Sequence, residues 1–310
     1  MKYTELLTTN NSNPGDIISD MGARLILDDL YEHNYFVPCH YSDPEMIDDF
    51  RESFLPEVSA VVGTPWIWAR AHQTPKYKCL EAFLKREDTI KIALSIGSCY
   101  DFKFIKAQRC KTNLWNQFDL IVCRDIMAYE FLRKRCGDKV LFLPCTSSYL
   151  VKKMPEYIGD RDNLLIYQNL KTSLMSDKVR FRDDFYQSQF DFYNEGADVM
   201  VVHEEDQIEF NKIFPGVECE LFKNPIDIYD HIRHYKKVLT PRVHCSIPAL
   251  SYGIDVTNVP SDSRCLTAIN LGATVAPRMK QYLRYPDRYY QTTSVSKESY
   301  VEKIKEVLHR

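Results

Sequence analysis

No run of apolar residues in this 310-residue chain approaches the roughly 20 needed to cross a membrane as a helix. The first ten residues lack the apolar core of a secretory signal. Ten cysteines are present, but no two are spaced as CxxC, so the spacing expected of a metal or dithiol motif is missing. A formal net charge of −3 gives no overall basis for binding nucleic acid. No internal repeat or low-complexity segment occurs, so a repeat architecture is not indicated. What is present is ordinary for a soluble globular protein, with 45% hydrophobic and 27% charged residues. The length leaves room for two domains. Scattered thiols of this kind read as small, reduced, apolar packing groups, and a cytoplasmic protein is the expectation, with contact at a membrane surface left open.

The most informative stretch is 240–257. Val238 and Leu239 close a short apolar run, and Pro241 stops further strand pairing. Arg242 and His244 follow at once. Ile247, Ala249, Leu250 and Tyr252 then take up helical spacing, which Gly253 ends, and Ile254, Val256 and Val259 read as the next strand. A cation and an imidazole thus sit at a strand-to-helix turn. In open α/β sheets such turns lie at the carboxyl edge, where ligands bind. Arg242 offers a planar fork for carboxylate or phosphate, and His244 is a candidate acid or base near neutral pH.

Before that stretch the chain alternates strand and helix twice over. Residues 3–7 read as a strand, and a helix follows whose apolar positions run from Ile18 to Leu30. Asp16 is the expected N-cap of that helix, and its first turn offers N–H groups to an anion. The plainer reading is that Asn13 and Asp16 shape a turn. Residues 58–62, 90–96, 114–122 and 140–143 read as strands. Trp66 and Trp68 make either a platform for a sugar ring or part of a core. Arg124 stands where a strand gives way to a helix, a place where a lone arginine is often a surface ion pair. A polar connector, 155–163, separates this half from a second series of strands at 164–167, 198–202 and 218–222, with helices at 178–195 and 226–235. His203 precedes three acids, which a helix dipole favours without any metal; no metal site is assigned. His231 and His234 read as solvent-facing. Arg278, Lys280, Arg284 and Arg288 interleave with Tyr282, Tyr285, Tyr289 and Tyr290, a patch for a lipid headgroup, an anionic acceptor or a solvated connection. A last helix, capped at Ser296, ends the chain.

Three segments carry a family resemblance. Arg242-Val243-His244, followed by Ala249 and Gly253, resembles the Arg-x-His-x4-Ala-x3-Gly signature of the polysaccharide pyruvyl transferases. Asn13-Pro14-Gly15-Asp16 is similar to the family's Asn-x-Gly-Asp, and Arg124-Asp125 to its Arg-Glu or Arg-Asp. The resemblance runs from Asn13 to about Arg264, where the family often has lysine. Pro144-Cys145-Thr146 lacks an aspartate that many members carry, and Val243, Cys245 and Asp255 also depart from the pattern.

The resemblance implies an α/β protein with two Rossmann-like doubly wound domains facing a cleft in the GT-B manner, spanning 1–155 and 163–310. The second would carry the Arg-x-His motif and a terminal helix that lies near the cleft or crosses back. It also implies transfer of pyruvate from phosphoenolpyruvate to a saccharide as a ketal, with no separate cofactor. His244 would protonate the enol carbon, while Arg242 and Arg124 clamp the donor. Asn13, Gly15 and Arg264 would bind the donor or acceptor. Asp16 would stand near phosphate or act as base for an acceptor hydroxyl, on a free or lipid-linked saccharide. The alternatives are a GT-B glycosyltransferase using a nucleotide-sugar and a non-catalytic glycan-binding relative.

Overall fold

Strands alternate with helices through most of the chain, and every strand pairing among the described residues is parallel. Parallel neighbours cannot be joined by a tight turn, so helices and long loops carry the chain back between them. The computed structural model describes residues 2–8, 13–31, 34–40, 57–63, 65–68, 74–85, 87, 89–108, 113–170, 181–292 and 297–309. The chain divides into two compact units, one formed by Met1–Cys99, Lys106–Tyr149 and Thr293–Arg310, the other by Tyr100–Ile105 and Leu150–Thr292.

The first unit contains β1 (Lys2–Thr8), α1 (Pro14–Leu30), β2 (Asn34–His40), β3 (Val58–Val62), β4 (Pro65–Ile67), α2 (Pro75–Leu84), β5 (Ile90–Ser98), β6 (Leu120–Cys123), α3 (Ile126–Cys136) and β7 (Val140–Phe142). Its sheet runs β2-β1-β3-β5-β6-β7, with β4 paired beside β5. Strands buried on both faces read as near-continuous apolar runs, and β3 and β6 are buried throughout. Gly63 follows β3 where the Ser95 carbonyl passes so close that an added Cβ would stand 1.7 Å from its oxygen. Ser95 itself adopts φ 60°, a costly value for a residue other than glycine, where the pairing of β5 with β6 shifts register.

The second unit contains β8 (Arg161–Ile166), α4 (Arg182–Asn194), β9 (Asp198–Val201), α5 (Glu204–Ile213), β10 (Glu220–Leu221), α6 (Pro225–Ile232), β11 (Tyr235–Thr240), α7 (Val243–Ser251), β12 (Asp255–Asn258), α8 (Cys265–Ile269) and β13 (Thr274–Val275). Its order, β10-β9-β8-β11-β12-β13, is the Rossmann order in which the first three strands run outward one way and the last three the other. Leu165, Val201 and Leu239 from the strands pack with Phe185 of α4 and Phe210 of α5. The strand order therefore reverses between β8 and β11.

Several expectations are corrected. The terminal helix, α9 (Lys297–Leu308), belongs to the first unit rather than with 163–310. Its Tyr300, Val301 and Ile304 are buried in the core built on Leu6, Val58, Ile92 and Leu120. The connector 155–163 is shorter than expected, because β8 already begins at Arg161. Residues 113–117 form a 3₁₀ turn instead of the start of a strand, since Trp115 turns into the core against Trp66 and Phe118. Trp66 is 0% exposed and packs edge-on against Tyr77, so it is core and no sugar platform. His231 is not solvent-facing: it lies between Phe222 and Tyr235, with ring centroids at 4.6 and 5.3 Å. Ser296 and the first residues of the expected helix 178–195 lie outside the described residues.

Docking of α9 should be energetically decisive. Truncating a buried isoleucine to alanine costs about 2–5 kcal/mol, so Ile304→Ala is expected to lower the urea midpoint of the first unit clearly. Ile226→Ala, at a position 47% exposed on α6, is expected to leave the midpoint near wild type.

Candidate functional site

The carboxyl ends of β8 and β11 lie side by side where the strand order of the second sheet reverses, the position at which doubly wound folds bind ligands. Pro241 follows β11, and Arg242 becomes the N-cap of α7, with φ −86° and ψ 109°. Its backbone N–H donates to Thr240 Oγ1 at 2.9 Å. Its carbonyl accepts from Ser246 N at 2.9 Å and Ser246 Oγ at 3.1 Å. Asn258 Nδ2, at the end of β12, donates to Thr240 O and Ser246 Oγ. These bonds tie the turn to both strands and fix where the arginine side chain starts.

That side chain is largely buried, and its Nη2 donates to Asp206 Oδ2. Asp206 lies in the first turn of α5 and is 0% exposed. Its other oxygen accepts from Asn169 N, just beyond β8, at 2.8 Å. Burial pulls the Arg242 guanidinium down from its ordinary value, Asp206 opposes that, and the charge of Arg264 adds to it. Arg264, in turn, grips Asp262 through Nε at 2.9 Å and Nη2 at 2.7 Å. Two guanidiniums thus stand at the ends of neighbouring strands, each oriented by a buried carboxylate. A guanidinium carries five N–H donors in a planar fork, a geometry that suits a carboxylate or phosphate. His244 is half-buried in the first turn of α7. His203, the N-cap of α5, is pulled below its usual range by burial and then by the Arg242 charge. Of the acids beside it, Asp206 goes to Arg242 and Glu204 to Lys223. Among the described residues no three His, Cys, Asp or Glu side chains gather as a metal site.

The remaining predicted residues lie in the first unit. Arg124 follows β6 and is 2% exposed, so the surface ion-pair reading fails. Its guanidinium runs against Gly97, where an added Cβ would come within 2.5 Å of Nε, and Nη1 reaches Cys145 Sγ at 3.9 Å. Asp125 caps α3 through Ala128 N and takes the N–H and Oγ of Ser98. Cys145 also meets Ser95 Oγ at 3.0 Å, Ser147 Oγ at 3.1 Å and Ser19 Oγ of α1 at 3.8 Å. Burial alone would raise this thiol, but the Arg124 charge and the serine hydroxyls bring it below its ordinary value. The start of α1 is corrected. Asn13, not Asp16, is the N-cap, accepting from Gly15 N at 3.0 Å. The N–H groups of Asp16 and Ile17 turn back to the Asn13 carbonyl, and Asp16 sits half-buried in the first turn.

The structure thus brings Arg242, His244 and Arg264 to one edge of the second unit, and places Asn13, Gly15, Asp16 and Arg124 in the first. Asp206, Asp262 and Cys145 were missed as site components. The one available signal was the charge of Arg242 itself, since a buried cation requires an anion.

The sequence model of the polysaccharide pyruvyl transferase family matches residues 16–263, and the chain belongs to that family. Sequence comparison with curated proteins found no match. Among solved structures, the S. aureus MnaA–UDP co-structure is similar with a TM-score of 0.62 at 10% identity, covering 100% of this chain and 97% of that one. UDP-GlcNAc 2-epimerase from Neisseria meningitidis, bound to UDP-GlcNAc, is similar with a TM-score of 0.60 at 11% identity over 100% of both chains. At such identities the likeness establishes the fold alone, an α/β architecture of the GT-B kind.

Removing one partner of a buried ion pair costs about 3–5 kcal/mol. Asp206→Asn should therefore shift the denaturation midpoint strongly, whereas Glu204→Gln, in an exposed pair, should leave it in place. His203 supplies a pH signature. Because its folded value is depressed, its contribution to stability is complete above the ordinary 6.5. That contribution is lost as pH falls from there through the folded value, where the unfolded chain binds the extra proton first. The drop in melting temperature between pH 7.5 and 5.5 should be smaller in His203→Gln than in wild type.

Proposed function

We propose that the protein transfers the pyruvyl group of phosphoenolpyruvate to a saccharide, forming a cyclic ketal across two hydroxyls and releasing phosphate, with no separate cofactor. The observation that carries this reading is Arg242 held rigidly at the reversal of strand order in the second sheet, with Arg264 beside it and His244 two residues along the same turn. The family membership supports the class of reaction.

The donor is a compact polyanion, and charge-assisted contacts to planar guanidiniums suit its carboxylate and phosphate. His244 donates a proton to the terminal CH₂ carbon of the enol as the double bond opens. The neighbouring carbon, still carrying carboxylate and phosphate, becomes the electrophile. A sugar hydroxyl adds there and loses its proton. The carbon–oxygen bond to phosphate then breaks, the electron pair leaving with phosphate, and the second hydroxyl closes the ring with loss of its own proton. In this reading Arg124 is a second clamp for the donor, Asn13 and Gly15 bind donor or acceptor, and Asp16 serves at the phosphate or as base for an acceptor hydroxyl. The acceptor is a glycan, free or carried on a lipid at a membrane surface.

Positioned acid catalysis is worth about a hundred- to ten-thousand-fold, so His244→Gln should lower turnover by that order while leaving donor affinity nearly intact. Arg242→Lys should weaken donor binding first, because a point charge cannot reproduce the fork. Donor titration and single-turnover phosphate release on both variants test this, and wild-type turnover in His244→Gln would remove the histidine from the mechanism. A ligand at a hundredfold excess over its Kd stabilises by about 2.7 kcal/mol. Protection against heat by phosphoenolpyruvate is expected, whereas protection by UDP-sugars instead would move the reading to a GT-B glycosyltransferase.

A further inference from the structure

The second unit holds a cavity of about 300 Å³ that none of the residues above explains, the low end of the range for small-molecule sites. One side is formed by Tyr100–Ile105, the short excursion of the chain into this unit. That excursion is pinned by Tyr100 N donating to Ser263 Oγ at 2.8 Å and Ser263 N to Tyr100 O at 2.9 Å. Phe102, Phe181 and Tyr282 line the cavity as a continuous aromatic wall, with successive centroids 5.3 and 5.9 Å apart and planes tilted by 52° and 55°. The Tyr282 hydroxyl is anchored on Asp184 at 2.7 Å, so the wall is preformed.

Of the interleaved basic and aromatic residues in 278–290, most are consumed by the fold. Arg278 pairs with Asp191, Arg288 lies over Tyr289, and Tyr285 and Tyr289 are buried. Lys280 and Arg284 are the exceptions, and of these two Arg284 lines the cavity. Arg284 is exposed there, and its side chain makes no hydrogen bond or ion pair among the described residues. Lys103, across the rim, is already offset by Asp101 at 3.5 Å. Ser261 lines the cavity too, and its hydroxyl donates to Asp262, the carboxylate that orients Arg264. The cavity therefore adjoins the candidate site through consecutive residues of one loop.

Tilted aromatic walls suit a puckered ring with apolar C–H faces better than a flat base, which stacks between parallel surfaces. A single uncompensated cation calls for a single anionic group. We infer that this cavity is a subsite for a sugar ring carrying a carboxylate or phosphate, held by the Phe102–Phe181–Tyr282 wall with its charge on Arg284. As the place of the saccharide acceptor, the assignment rests on the reaction proposed above, but the binding it describes does not.

The test is saturation-transfer NMR titration of the full chain without phosphoenolpyruvate. The probes are methyl β-D-glucuronide, glucose 6-phosphate, neutral methyl β-D-glucoside and UMP. At least one anionic sugar should bind about tenfold more tightly than the neutral glucoside, and the two anionic probes distinguish carboxylate from phosphate. Arg284→Ala, at an exposed position, should abolish that preference, and Arg284→Lys should retain most of it. Equal binding of glucoside and both anionic sugars would overturn the inference, as would an unchanged preference in Arg284→Ala or displacement of the sugars by UMP. Failure of phosphate release alongside intact, Arg284-dependent sugar binding would count against the reaction and leave the subsite standing. Intact turnover without that binding would do the reverse.

Discussion

Taking a guanidinium out of water costs several kcal/mol unless a carboxylate and further hydrogen bonds accompany it. Arg242 meets that condition through Asp206, and the carboxyl edge of the second sheet is arranged around the need. Asp206 has to be anchored in turn, so the backbone beyond β8 donates to it. Helix α5 has to begin beside β11 for the carboxylate to arrive at all. Segments 169, 206 and 242, distant in sequence, converge on one ion pair. An anion reaching this edge meets a side chain whose rotamer freedom was lost during folding, so little is left to lose on binding.

The first unit also buries an arginine, beside the buried carboxylate of Asp125. Around Arg124 stand a thiol that meets three serine hydroxyls and a glycine that makes room. A thiol shares its proton more readily than a carbon-bound group would, and the arginine draws it further toward the anion. Ser95 is pinned there at a left-handed φ, with its hydroxyl on Cys145, so backbone strain and local electrostatics meet at the same residue. Cys145 belongs among the polar groups of the first unit, not among its apolar fillers.

Much of the fold was legible because parallel strands buried on both faces announce themselves as short apolar runs, and the turn at 241–244 is marked by proline and by a helical pattern after it. The position of Arg242 and His244 at a sheet edge followed from that pattern alone. What surrounds them did not, because Asp206 lies 36 residues away and reads locally as one of three acids favoured by a helix dipole. Asn13 could have been recognised as the cap of α1, since Pro14 is best tolerated at the first helical position. Trp66 shows the opposite failing: an aromatic near a sheet edge says nothing about which way it turns, and here packing against Tyr77 and Trp115 decided the matter. The destination of α9 was likewise hidden, since an amphipathic pattern shows that a helix has a buried face but not where it is buried.

That destination governs the order in which the molecule can be completed. Domains generally fold as units while the chain is being made, the N-terminal one first. Here the core of the first unit requires Tyr300, Val301 and Ile304, which are translated after Leu150–Thr292, the segment that supplies nearly all of the second. The first unit is therefore begun before the second and finished after it. Its strands wait beside an open hydrophobic gap through the synthesis of some 140 intervening residues, and a break in translation between Thr292 and Tyr300 leaves an intact second unit attached to an unfinished first.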